Sequence, residues 1–247
     1  LFLFLFFNFS FIHGQDITIG SGNNTSTSIP SVLSQNYSYS QQIYTAAEVD
    51  SAAPICGISF FKTSSGTIYR YVTIYLGHTE QSQFSSDNSW IPTDELTLVF
   101  SGMVKFLPNT WSYISFDTPF QYDGNSNLVI AFDDNTQIKE ETQTFRVFST
   151  SNNSSIYTSS NTNNPNPTSP PVGTRLNVRN QIKIHKCAPT PMSNTPITTC
   201  NLLYSDPGGM DDYSPYQTFT QVITSSTTNN RLEVRFLDFN LEDGDTL

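Results

Sequence analysis

Runs in which hydrophobic and polar side chains change places at every step set the strictest limit on how this chain folds. Tyr69, Tyr71, Thr73 and Tyr75 alternate with Arg70, Val72, Ile74 and Leu76. Tyr37, Tyr39, Gln41 and Ile43 alternate in the same way with Ser38, Ser40, Gln42 and Tyr44. A period of two places successive side chains on opposite faces of an extended strand. A mostly apolar run covers 55–62, and further runs fall at 97–104, 111–117, 127–133, 143–149 and 178–184. Clusters of Gly, Asn, Ser and Pro separate them. Eight or more such runs predict an all-β chain folded as a two-sheet sandwich. A jelly-roll-like closure is expected, because pairing two sheets hides most strand edges.

Helix signals are confined to single turns at Ala46-Ala47-Glu48 and Thr93-Asp94-Glu95-Leu96. Residues 161–171 hold four prolines among Asn, Thr and Ser. Proline lacks the ladder donor, so this stretch reads as a surface loop. The sandwich is expected to span 15–186. Residues 187–199, with Pro189, Pro191 and Pro196, read as a proline-stiffened spacer. A second module starts near Cys200; over 200–247 there are eight acidic and two basic residues. In it, Asp206-Pro207-Gly208-Gly209 marks a turn, and 217–224 and 232–239 read as strands.

Charge narrows the function. The net charge is -10, with 11 basic residues dispersed along the chain. Nucleic-acid binding needs a clustered basic face, so that class is excluded. An acidic surface suits divalent cations instead.

Residues 1–12 are Leu, Phe and Ile apart from Asn8 and Ser10. This run is too short for a spanning helix, which needs roughly 20 residues, and has the length of a signal-peptide hydrophobic region. Cleavage after Gly14 is expected to send the protein to the cell exterior, secreted or on the outer surface. The first residue is not Met, and 232–247 ends in a strand-like run, so a longer multidomain parent chain is expected.

Three cysteines leave an odd count. Cys56, in an apolar run, reads as a small buried hydrophobe. Cys187 either bridges Cys200 across the proline-rich joint, or Cys200 pairs with a residue further along.

Several stretches carry a resemblance to a known family. YSYSQQIY at 37–44, VTIYLGHT at 72–79, NSWIPTDELTLVFSG at 88–102, YDGNSNLVIAFDDN at 122–135, NPNPTSPPVGTR at 164–175 and RNQIKI at 179–184 resemble a β-sandwich repeat domain. That domain belongs to secreted and outer-surface proteins of Bacteroidetes bacteria. The resemblance covers nearly all of 16–186 and implies export, by the type IX route, beside adhesin or peptidase modules. CNLLYSDPGGMDDYSPY at 200–216 and FLDFNLEDGDTL at 236–247 are similar to the start of a CUB-like domain. In calcium-binding members of that family a Glu and a following Asp hold the ion, which by motif implies Glu242 and Asp245, with Asp243 adjacent.

Two residue clusters invite a functional reading beside a plainer one. Asp133-Asp134-Asn135, with Asp123 and Asn125 upstream, is either part of a calcium site, which takes six to eight oxygens, or an Asx-rich turn. Tyr37, Tyr39, Tyr69, Tyr71 and Tyr75 are either a platform for a carbohydrate or protein ligand, or good strand residues with one wet face. No catalytic site is expected. The three histidines are scattered, no Gly-x-Ser-x-Gly, phosphate loop or His-Glu-x-x-His occurs, and Asp94-Glu95 and Glu140-Glu141 lack a defined partner. The reading is therefore a non-catalytic extracellular binding or adhesion region, or else an accessory region of a secreted hydrolase.

Overall fold

The computed structural model describes residues 16–140, 143–199, 203–207, 218–226 and 234. The strands of the first unit, in chain order, are β1 (Asp16–Ile19), β2 (Asn24–Ser26), β3 (Tyr37–Tyr44), β4 (Ala53–Lys62), β5 (Ile68–Thr79) and β6 (Thr97–Phe106). They continue with β7 (Thr110–Tyr122), β8 (Asn127–Asp134), β9 (Phe145–Ser149), β10 (Ser155–Ser160), β11 (Thr174–Leu176), β12 (Val178–Asn180) and β13 (Ile182–Lys186). The two single helical turns form where the sequence places them, as α1 (Ala46–Val49) and a 3-10 turn at Thr93–Glu95. Thr45 and Glu48 cap α1 reciprocally.

Two antiparallel sheets pack into a sandwich. One has the order β11-β10-β3-β8-β5-β6. The other runs β1-β13-β4, with β7 on the far side of β4. β9 joins β4 at Lys62↔Phe145 and carries β12 and β2. The chain changes sheet at most connections, so neighbours along the sequence face each other across the core. The run at 178–184, read as one strand, is two. Asn180 ends β12 because its backbone N–H donates to Gln42 Oε1 (2.8 Å) and its Oδ1 accepts from Gln42 Nε2 (2.9 Å), stitching one sheet to the other.

Inward residues obey the alternation. Arg70, Val72, Ile74 and Leu76 of β5 are buried, and Val72, Ile74 and Leu76 meet Ile58 and Phe60 of β4, Phe132 of β8 and Ile182 and Ile184 of β13 in one core cluster. Phe60 and Phe132 pack edge-to-face at 5.6 Å, as do Phe106 and Phe145 at 5.1 Å. A smaller cluster of Ile43, Phe84, Ile91, Val129 and Ile156 lies on the other side of the six-stranded sheet. There the segment after β5 folds back over β3 and β8. Gln41 pins it like a strand neighbour: Ile91 N–H donates to Oε1 (2.8 Å), while Nε2 donates to the Ile91 carbonyl (2.8 Å). The 161–171 loop locks onto that cover through Trp90 Nε1, which donates to the Pro171 carbonyl (3.0 Å). Arg175 Nε also donates to Asp87 Oδ1 (2.7 Å).

The cysteine pairing differs from both sequence-based alternatives. Cys56 and Cys187 form a disulfide with Cα atoms 5.7 Å apart. They meet because β13 lies beside β4, with Lys186 opposite Ile55, although 131 positions separate them in sequence.

A second unit comprises 189–247. Its described strands pair in parallel, Thr190–Pro191 with Tyr204–Ser205 and Ile197–Thr199 with Ile223–Ser225. Part of the stretch read as a spacer thus contributes strands. Most of 200–217 and 227–247, including Cys200, Glu242, Asp243 and Asp245, lies outside the described residues. No described helix is long and apolar enough to cross a membrane.

Candidate functional site

The cover described above hides only one half of the outer face of the six-stranded sheet. Over β5 and β6 that face is open. Because β5 alternates, Tyr69, Tyr71, Thr73 and Tyr75 point outward; Tyr69 is 54% exposed and Tyr71 47%. β6 adds Met103 at 59% and Leu98 at 51%. The ladder sets Tyr69 opposite Lys105, Tyr71 opposite Met103 and Thr73 opposite Ser101; a register shift then sets Tyr75 opposite Leu98. Large apolar side chains exposed side by side on adjacent strands are unusual unless something covers them.

Between the Tyr71–Met103 row and the Tyr75–Leu98 row runs a polar row. It passes from Tyr39 through Asp133 and Thr73 to Ser101, each the register partner of the next. Thr73 Oγ1 and Ser101 Oγ are 3.3 Å apart. Asp133 is 6% exposed; its Oδ2 accepts from Asn135 Nδ2 (2.9 Å), while its Oδ1 is buried without a hydrogen-bond partner. Burial, with a smaller contribution from the neighbouring Asp134, pushes its carboxyl up to about 6. Burial beside Asp133 also raises the Tyr75 phenol. Tyr39, expected on the platform, is instead fully buried: Trp90 packs on its ring at 5.2 Å, and Gln41 Nε2 donates to its hydroxyl (2.9 Å). Tyr37 is half-buried at the start of β3.

Asp134, one step along β8, faces the other way. Arg70 Nε donates to its Oδ2 (2.8 Å), and Arg70 Nη2 lies at the same distance. Ser31 Oγ donates to that oxygen too, while Thr136 N–H and Oγ1 donate to Oδ1 (3.1 and 2.6 Å). The two carboxylates therefore lie on opposite faces of the sheet, one neutralised by an arginine, and do not fit a shared calcium ion. Asp123 and Asn125 form the plainer alternative, an Asx turn. Asp123 Oδ1 accepts from the N–H groups of Asn125 (2.8 Å) and Ser126 (2.9 Å), and Oδ2 accepts from Ser126 Oγ (2.7 Å). These bonds, led by that from Ser126, hold the Asp123 carboxyl down to about 2. Among the described residues no three His, Cys, Asp or Glu side chains gather in a way that holds a metal.

A further constellation carries no signal in the sequence. His185 Nε2 lies 2.7 Å from Ser59 Oγ, and His185 Nδ1 lies 2.8 Å from Asp16 Oδ1. This is the connectivity of a nucleophilic triad, assembled from β4, β13 and β1. Ser59, however, is 2% exposed, and Tyr113 packs edge-on against the His185 ring at 4.7 Å. β4 is paired on both sides at this point, so its amides serve the ladders and leave no free N–H pair to cradle an oxyanion. The row fixes the edge strand β1 onto its neighbours. No protein-family model matches the sequence, and no curated protein is significantly similar to it.

Proposed function

We propose that this chain is a non-catalytic extracellular binding or adhesion region of a multidomain surface or secreted protein, and that its ligand surface is the open half of the six-stranded sheet. The observation that carries the reading is the contiguous exposure of Tyr69, Tyr71, Leu98 and Met103 on neighbouring strands. Tyrosine suits such a surface, since it offers area and a hydroxyl while few rotamers are frozen on binding. The site is built on strands rather than loops, so the rings are held in place before a ligand arrives. The Cys56–Cys187 bridge supports an oxidising compartment, in line with the export signal read at 1–14.

The test is retention of the purified chain on panels of immobilised glycans and extracellular proteins, beside the double variant Tyr69→Ser/Tyr71→Ser. Both side chains point to solvent, so the double variant is expected to melt within a degree or two of the parent while losing retention. A variant that binds as well as the parent would move the site elsewhere.

A further inference from the structure

The polar row between the two apolar rows contains one group that the fold itself leaves unsatisfied. Asp133 Oδ1 is buried and, among the described residues, has no donor. Buried polar atoms almost always find a partner, because desolvation without a hydrogen bond is costly. The neighbouring carboxylate, Asp134, shows what an aspartate looks like when it serves the fold: four donors, one of them the Arg70 guanidinium. Asp133 receives one.

Resting on the binding-face reading above, we infer that the ligand is an uncharged glycan and that Asp133 is its polar anchor, accepting a hydrogen bond from a sugar hydroxyl while Tyr71, Tyr75 and Leu98 pack against the ring faces. Three features choose this ligand class. A carboxylate oxygen is acceptor-only, so its missing partner is a donor, and sugars are dense in hydroxyl donors. Rows of apolar side chains flanking a polar row match a pyranose, which has C–H faces and a polar rim. The chain carries -10, which repels a polyanion, and Lys105, whose ammonium lies 5.9 Å from the Tyr69 ring, borders the patch opposite Tyr69 rather than on the Asp133 row.

Access runs past Tyr75. Its ring is half-buried and, among the described residues, no hydrogen bond holds its hydroxyl. Across the ladder from it stands Ala131, small enough to let the ring turn aside.

The experiment is affinity electrophoresis and calorimetry of the full chain against soluble neutral polysaccharides (a glucan, a mannan and a xylan), with a sulfated polysaccharide and a trimethylammonium compound as contrasts. At least one neutral polysaccharide is expected to bind. Asp133→Asn is expected to lower affinity about ten-fold or more, the size of one charge-assisted hydrogen bond, while raising the melting temperature. A merely structural aspartate would instead lower that temperature when replaced. Thr73→Val, isosteric and on the same row, is expected to weaken binding a few-fold with no change in melting. Failure of every neutral polysaccharide, or parental affinity in Asp133→Asn, would overturn the inference. If the parent instead holds the trimethylammonium compound, the sulfated chain or a protein, and Tyr69→Ser/Tyr71→Ser loses it, the glycan assignment falls and the binding face stands. If the double variant keeps that ligand, both fall.

Discussion

Asp133 and Asp134 are adjacent in sequence yet experience opposite electrostatics, because one step along a strand exchanges the two faces of a sheet. For Asp134 the partner is Arg70, 64 positions away and equally buried. Removing the cation alone leaves a stranded charge, so Arg70→Met is expected to cost about 3–5 kcal/mol in chemical denaturation. Replacing both, as Arg70→Met/Asp134→Leu, should recover most of that loss. For Asp133 the sign is reversed. Its folded carboxyl, lifted to about 6 by burial, binds a proton more tightly than in the unfolded chain. Its contribution is therefore most favourable below the ordinary carboxylate range and is lost as pH rises from about 4 through 6, by on the order of 2–3 kcal/mol. Urea midpoints across that window should fall with rising pH in the parent through this group, and Asp133→Asn should flatten that component. The groups facing it, Tyr39 and Tyr75, stay neutral throughout, since burial raises both phenols. The sequence offered the run Asp133-Asp134-Asn135 as one oxygen cluster. Its division was not legible, because nothing local reveals that Arg70 points inward to claim one of the pair.

At the level of strands, alternation was a faithful guide wherever a run was long and one of its faces was apolar, as in β5 and β7. It missed β1, β2, β10 and β11. These are short or rich in Ser and Thr, and they hold their place through neighbours rather than through a greasy face of their own. It also misjudged Tyr39 of β3, read with the platform tyrosines, which lies buried with Gln41 and Ile43 beneath the folded-back cover. Half of the candidate face was therefore readable: Tyr69, Tyr71 and Tyr75 from their spacing on β5, but not Met103 and Leu98, which depend on register. Close approach between strands gives a separate test. A Cβ on Gly57 would sit 2.7 Å from the Ile114 carbonyl oxygen and 2.5 Å from the Tyr113 ring. The ring can move, whereas the carbonyl belongs to the β4–β7 ladder. Gly57→Ala is expected to cost about 1–3 kcal/mol through overpacking, measurable as a lower denaturation midpoint with an unchanged slope.

Across the whole first unit, the disulfide makes a topological statement. β1 and β13 lie side by side with Asp16 opposite His185, so the strands that open and close the described sandwich are neighbours. The bridge joins Cys187, just beyond β13, to Cys56 in β4 and closes a loop across a separation of 131. In the unfolded chain such a closure removes entropy worth about 3–5 kcal/mol, so Cys56→Ser/Cys187→Ser, or reduction, should lower stability by that amount. A stretching force applied to the two ends of the chain would pass directly from one cysteine to the other. Reduction should therefore add about 450 Å of extension, from roughly 3.6 Å per released residue, in a single-molecule pulling trace. Nearness in sequence suggested Cys200 as a partner for Cys187; the pairing of β4 with β13 decides otherwise.

The central claim, that the open face of β5 and β6 receives the ligand, is tested most directly by methyl NMR. The chain has three methionines, and of these Met103 stands on that face, opposite Tyr71. With methyl-labelled methionine and a stepwise addition of whichever polysaccharide binds, the Met103 resonance should shift in proportion to occupancy. A saturating ligand that leaves Met103 unmoved would contradict the account.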